Sequence, residues 1–260
     1  KYGHLELRDS MWDSLTNLGV GPAMGVTAEN VAARYGITRE AMDRYALQSQ
    51  QRAAAAINAN RFREEIVPVT VKTRNGEQQI DTDQYPRQTS LEQLAALKAT
   101  FQENGSVTAG NASGMNDAAS GVIVMSEEKA QQLGCPTLCR IVSVGTTGVD
   151  PALMGIGPIS ASRKALVKAG LTMEEVDLVE INEAFAAQTL ACAQELGIDQ
   201  NKLNVNGGGI SLGHPVGATG SRIVITLMNE LAKRHGRYGL ATLCAGGGMG
   251  TAVVIENLVP

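Results

Sequence analysis

Three side chains in this sequence of 260 residues could carry proton chemistry, and each stands in or beside a bend of small residues. Histidine occurs only three times, and His214 lies in Gly213-His214-Pro215-Val216-Gly217-Ala218-Thr219-Gly220, at the mouth of Ile223, Val224, Leu227, Met228 and Leu231. That spacing has the helical period and predicts a helix over 216–234, with Pro215 in its first turn, where a missing N–H costs nothing. The positive end of such a helix favours a neutral imidazole, the form that can accept a proton. His214 is therefore either a base or a ring packed in a turn, and this stretch leaves both open.

Cys244 ends Gly239-Leu240-Ala241-Thr242-Leu243, which reads as a buried strand, and Ala245-Gly246-Gly247-Gly248 follows. Small residues there allow a ligand to approach the backbone and present N–H groups as donors. Thr251-Ala252-Val253-Val254-Ile255 completes a strand–turn–strand unit. By itself, Cys244 reads as a small buried apolar residue before it reads as a catalyst. The third side chain, Asn182, follows the strand-like 176–181 and precedes an alanine-rich helix ending near Gly197. It is a helix N-cap or, at the carboxyl edge of a sheet, a ligand-facing amide.

Taken together, Asn182-Glu183-Ala184-Phe185, Asn204-Val205-Asn206-Gly207-Gly208-Gly209, the bend around His214 and Cys244-Ala245-Gly246-Gly247-Gly248 occur in an order and spacing that resemble the C-terminal half of the thiolase family. The resemblance runs along essentially the whole chain and is strongest to the acetyl-CoA acetyltransferase branch. It implies a thiolase-like α/β fold: a mixed sheet layered between helices at 136–260, the last part of an N-terminal half-domain at 106–135, and an α+β loop domain covering the site at 1–105. It implies condensation of two acetyl-CoA to acetoacetyl-CoA and CoA, or the reverse cleavage. The catalytic set would be His214, Cys244, Asn182 and the backbone N–H of Gly246.

The substrate residues would be Ser113, bonded to the pantetheine arm, Ala109 and Met115 along its path, and Met24, Phe101, Ala184 and Phe185 closing the tunnel. Thiolases carry their acyl-accepting cysteine in an N-terminal segment, before Gly-Ser-Gly-type residues. None of Cys135, Cys139, Cys192 and Cys244 has that neighbourhood, so the resemblance places the nucleophile outside these residues and leaves this chain inactive alone. Two departures stand out. Ala23 precedes Met24 where acetoacetyl-CoA thiolases carry histidine, and Thr100 replaces the proline before Phe101.

The first departure keeps a longer-chain 3-ketoacyl-CoA thiolase as an alternative, the second alters only loop stiffness, and a non-catalytic acyl-CoA or lipid binder is a further alternative against which His214, Asn182 and Cys244 together argue. A ketoacyl synthase would place histidine where Cys244 stands. A nucleotide loop at 246–250 would need a helix after it, not a strand.

Composition bounds the remainder. The chain is 43% hydrophobic but only 3% aromatic, with 29 glycines, which suits a closely packed α/β core. A net charge of −4 gives no footprint for nucleic acid, so CoA phosphates must be met locally. No apolar run approaches a membrane span and no signal peptide is evident. Cys135 and Cys139 lack a second pair, so no metal site is expected, and four unpaired cysteines point to a reducing cytoplasm. No cofactor is expected beyond CoA as substrate and product, and the family implies a homodimer or homotetramer.

Along the chain, Thr27-Ala28-Glu29-Asn30 reads as a capping box opening a helix to Tyr35, and Thr38 caps a longer one to about Asn58. Val67, Val69 and Val71 alternate as an edge strand, turned by Asn75-Gly76, and Ser90 caps a helix through Leu97. The family likeness makes 118–125 a strand whose sheet partners lie elsewhere.

Overall fold

Side chains along three neighbouring strands alternate between two separate apolar clusters, and that alternation decides the architecture. The computed structural model describes residues 3–16, 19–74 and 76–259, so Lys1, Tyr2 and Asn75 lie outside the described residues. In chain order the elements are α1 (Ser10–Thr16), α2 (Met24–Tyr35), α3 (Arg39–Asn58), β1 (Val69–Thr73), β2 (Gly76–Ile80), α4 (Leu91–Ala95), α5 (Glu127–Leu133) and β3 (Cys139–Gly148). A 3-10 segment (Pro151–Ile156) then leads to α6 (Gly157–Ala169), β4 (Leu178–Ile181), α7 (Ala186–Leu196), α8 (Gly209–Leu212), α9 (Thr219–Arg234), β5 (Tyr238–Ala245) and β6 (Met249–Asn257).

The main sheet has the order β3-β6-β5-β4, with β4 and β5 parallel and the other pairs antiparallel. Val179, Ile181, Leu240, Cys244, Ala252 and Val254 face one cluster, which takes Ile159, Ala161 and Ala165 from α6. Their neighbours Leu178, Ala241, Leu243, Val253 and Ile255 face the other, built on Ile223, Leu227 and Leu231 of α9. These three sit at i, i+4 and i+8 on one helix face and are almost fully buried. Truncating Leu227 to Ala would cost about 2–5 kcal/mol. The first cluster also contains Ala28, Ala32, Met42, Tyr45 and Ala46, so α2 and α3 share a core with the sheet.

Glycine lets α6 approach this closely: a Cβ on Gly145 would lie 2.1 Å from the Ala161 carbonyl oxygen, and one on Gly250 would lie 2.2 Å from that of Gly157. No helix is long and apolar enough to cross a membrane among the described residues.

Several boundaries differ from the sequence reading, each for a local reason. Helix α2 starts at Met24, not Thr27, and Ala23 at its N-cap offers no side-chain cap. The supposed capping box is absent because the buried Glu29 carboxylate instead accepts from the amides of Ser106 and Val107 at 2.8 Å. The cap of α3 is as expected, Thr38 accepting from the Ala41 amide. Ser90 caps α4, which ends at Ala95 and stops short of Leu97. Hairpin β1–β2 forms in register and stays exposed.

Helix α9 begins at Thr219, three residues later than expected. Pro215 is not in its first turn: the Pro215 carbonyl closes a preceding turn by accepting from the amides of Ala218 and Thr219. No strand forms at 118–125, where Ile123 is 88% exposed. Its apolar pattern suits a strand, but a ladder needs a neighbour, and no described segment supplies one. Ser120 ties it to the start of α9, its Oγ bonding the Ala218 carbonyl and the Ser221 hydroxyl.

Candidate active site

Strands β4 and β5 run parallel and end side by side, with Ile181 opposite Thr242. Asn182 continues that pairing by donating its amide to the Thr242 carbonyl at 3.0 Å. Asn182 and Cys244 therefore leave adjacent carboxyl ends of the sheet. The N-cap alternative for Asn182 does not hold, because the N-cap of α7 is Phe185. Asn182 is 1% exposed, and its Oδ1 has no partner among the described residues. A buried amide oxygen without a partner is costly, and is kept where something else supplies the hydrogen.

The other amide atom of Asn182, Nδ2, lies 3.4 Å from His214 Nε2. Gly213 delivers the histidine at φ +94°, a conformation that L side chains avoid, while the His214 amide donates to Gly114. Nδ1 of the imidazole is 2.6 Å from Thr219 Oγ1, and that hydroxyl donates its own hydrogen to the Pro215 carbonyl at 2.9 Å. A hydroxyl has one hydrogen, so Thr219 must accept from Nδ1–H. The tautomer follows: the lone pair sits on Nε2, beside Asn182. Burial, then the nearby Arg222 cation, push the imidazole pKa down to about 4. A neutral ring is what the sequence suggested, but the causes are burial and Arg222, since α9 starts five residues later.

Cys244 is 7% exposed and belongs to the apolar cluster facing α6. Burial pushes its thiol up to about 12, so it rests protonated at neutral pH. No hydrogen bond links it to His214 or Asn182 among the described residues. Beyond it, Gly247 and Gly248 turn the hairpin at φ +85° and +87°, with Gly246 half-buried ahead of them. The other thiols differ among themselves: Cys192 donates to the Gly155 carbonyl and is pushed up strongly by burial, Cys139 is pushed up by burial, and Cys135 is exposed.

Most of the expected substrate residues gather beside this edge. The Ser113 amide donates to the Ala184 carbonyl at 3.0 Å, Ala112 pairs with Phe185, and Met115 pairs with His214 while remaining 64% exposed. Phe101 meets Phe185 edge-on, with ring centroids 6.0 Å apart. The Phe101 ring also covers the start of α2 beside Met24, for a Cβ on Gly25 would fall 2.1 Å from it. Ala109 is the exception, exposed at the tip of a turn whose amides bond to Asn111 and Thr108.

Sequence reading missed Thr219, Arg222 and Glu29. Thr219 carried one signal, a hydroxyl five residues after the histidine, but a helix assumed to start at Val216 concealed it. Asn111, which ties the loop to Asp43 of α3 at 2.9 Å, gave no signal.

Comparison with known proteins places this arrangement. Residues 1–128 match the family model described as "Thiolase, N-terminal domain", and residues 135–257 match "Thiolase, C-terminal domain". An acetyl-CoA acetyltransferase of Syntrophomonas wolfei is 54% identical over 256 residues, covering 97% of this chain but 65% of that protein. Among solved structures, Bacillus anthracis acetyl-CoA acetyltransferase superposes with a TM-score of 0.94 at 49% identity, over 99% of this chain and 66% of the other. Human mitochondrial 3-ketoacyl-CoA thiolase in complex with CoA gives 0.90 at 46% identity, over 98% and 64%. The chain thus spans about two thirds of the length of the relatives that it matches.

Proposed function

This chain belongs to the thiolase family, and from that premise we propose that the whole protein condenses two acetyl-CoA into acetoacetyl-CoA and CoA, or cleaves 3-oxoacyl-CoA in reverse. The observation that carries this reading is the Thr219–His214–Asn182 line, which leaves an unprotonated Nε2 beside a buried amide.

In the first half-reaction Nε2 takes the proton of the acyl-accepting thiol, which attacks the thioester carbonyl and expels CoA as a thiolate, and the Cys244 thiol gives its proton to that leaving thiolate. That thiol is placed outside these four: burial lifts Cys139, Cys192 and Cys244 and favours their protonated forms, and Cys135 is exposed and followed by Pro136 rather than by Gly-Ser-Gly-type residues. In the second half-reaction Cys244, once ionised, is a strong base in an apolar setting and removes the α-proton of the second acetyl-CoA. The enolate oxygen is met by the hydrogen now on Nε2 and by a water accepted at Asn182 Oδ1, while an N–H of Gly246 meets the acyl-enzyme oxyanion. The cover at 1–105 brings Met24 and Phe101 over the arm, with Ser113, Met115, Ala184 and Phe185 on its other side. Ala109, at the exposed tip, meets the outer part of the arm.

A longer-chain 3-ketoacyl-CoA substrate is the second reading, favoured by Ala23, which leaves room beside Met24. Four free thiols suit a reducing cytoplasm. The exposed Val67, Val69 and Val71 around the hairpin suit assembly into a homodimer or homotetramer.

The test measures thiolysis of acetoacetyl-CoA against a six-carbon homologue by full-length protein, with intact mass to read acyl-enzyme. Preference for the shorter substrate is expected. Preference for the longer one selects the second reading, and absence of any acyl-enzyme rejects both.

A further inference from the structure

Glu183, next to Asn182, is 1% exposed, and the reaction described above does not use it. Its carboxylate is surrounded by donors from three parts of the chain. Oε1 accepts from Tyr45 of α3 at 2.8 Å and from Asn204 Nδ2 at 2.9 Å. Oε2 accepts from Ser49 of α3 at 2.7 Å and from the Ile210 amide of α8 at 3.1 Å. Asn204 cannot turn round, because its Oδ1 accepts from the Ile181 amide while Nδ2 also donates to the Ile181 carbonyl, both at 2.8 Å.

Each carboxylate oxygen therefore faces one donor that cannot reverse: a locked side-chain amide on Oε1 and a backbone amide on Oε2. The hydroxyls of Tyr45 and Ser49 could rotate, but these two cannot. Only a group that accepts at both ends fits, and a glutamine in either orientation sets an NH2 against an N–H. The loop has been cleared to allow this. A Cβ on Gly208 would lie 2.5 Å from the Glu183 carboxyl carbon, and one on Gly209 would lie 3.1 Å from Asn182 Oδ1. Four residues beyond Gly209, the same loop delivers Gly213 and His214.

We propose that Glu183 is a positioning residue: its carboxylate clamps α3, the 204–211 loop and the end of β4 into one unit, and so holds the Asn182 amide and the path of the chain into His214. The proposal rests on the reading of Asn182 and His214 as catalytic groups. It also gives the cover a direct route to the chemistry, because Tyr45 and Ser49 of α3 both bond the side chain next to Asn182.

The experiment uses full-length protein with Glu183→Gln, Asn182→Ala and the double variant. Glu183→Gln should lower kcat about tenfold, roughly 1.4 kcal/mol, with KM for acetyl-CoA held within about twofold. Because Glu183 acts through its neighbour, the double variant should be no slower than Asn182→Ala alone. A double variant slowed by the product of the two single factors overturns the proposal. Tyr45→Phe, which leaves the carboxylate three donors, should shift kcat the same way by less and serves if Glu183→Gln folds poorly.

Hydrogen exchange supplies a readout that needs no turnover. Peptides across 204–214 should exchange faster in the Glu183→Gln and Tyr45→Phe variants than in wild type, while those of α6 and β3 do not change. Unchanged exchange at 204–214 overturns the clamp even in a protein without thiolase activity. An inactive wild type with faster exchange in the variants would reject the proposed reaction and leave the clamp supported.

Discussion

The two glycine-rich bends of this chain, around His214 and after Cys244, look alike in sequence and are built for opposite ends. At the first, both imidazole nitrogens and the backbone amide of His214 have polar neighbours: Thr219 orders Nδ1, Asn182 lies beside Nε2, and Gly114 takes the backbone amide. At the second, the thiol is set among apolar side chains without a hydrogen bond to another side chain among the described residues, and the glycines serve the turn that follows it. Hydrogen bonds fix a proton's place in one bend, and burial withholds a proton from solvent in the other. Glycine content alone is a poor guide to which of these a bend does.

The sharpest break would come from the side chains themselves. In full-length protein, His214→Ala should abolish acyl-enzyme formation, whereas Cys244→Ala should still accumulate it and stall before carbon–carbon chemistry. Each should lose about a thousandfold in turnover, roughly 4 kcal/mol. Intact mass separates them, and equal acylation of wild type and His214→Ala would remove the base assignment.

Next in size is Gly248→Ala. A Cβ there would lie 2.3 Å from the Val149 carbonyl oxygen at a φ of +87°, so a loss of about 2–3 kcal/mol in urea unfolding is expected. Thr219→Val keeps the shape and removes the acceptor for Nδ1–H. It should slow acylation about tenfold, the worth of one hydrogen bond of roughly 1–1.5 kcal/mol, and an unchanged rate would show that the tautomer is set elsewhere.

The two bends should also respond to pH in opposite senses. His214 drops from an ordinary 6.5 to about 4 on folding, so the unfolded chain binds the extra proton and stability falls as pH goes from about 6.5 toward 4. Cys244 rises from 9.0 to about 12, so the folded chain keeps a proton that the unfolded one releases, and stability falls as pH climbs through that range. Urea midpoints of His214→Gln and Cys244→Ala against pH should each flatten only its own limb. Smallest of all is Gly217→Ala, which meets nothing within 4 Å and should change stability by less than about 0.5 kcal/mol.

Much of this was legible beforehand, for identifiable reasons. Leu240, Ala241, Leu243 and Cys244 alternate because each strand face meets a different helix, and Ile223, Leu227 and Leu231 repeat because one helix face meets the sheet. Local rules failed where a distant group overrode them. Glu29 resembled a capping residue but serves amides 77 and 78 positions away. At 118–125 strand propensity was clear and pairing was not, since propensity belongs to the segment and a ladder belongs to two. The ordering hydroxyl of Thr219 was invisible because its role depends on a turn that displaces the helix start by three residues.

The close approach of α6 to the sheet also limits how the molecule can move. With Gly145 under Ala161 and Gly157 against Gly250, backbone meets backbone at two points about a helix turn apart. A layer of long side chains can creep by switching rotamers, but interlocked main chains cannot, so shear of α6 along β3 and β6 is closed off. Admission of a bulky substrate must then come from hinging elsewhere. The elements placed to do so are those that pack through side chains, α2 and the loop whose Phe101 meets Phe185, which makes the helix-backed sheet an anvil and the opposite wall the part that swings.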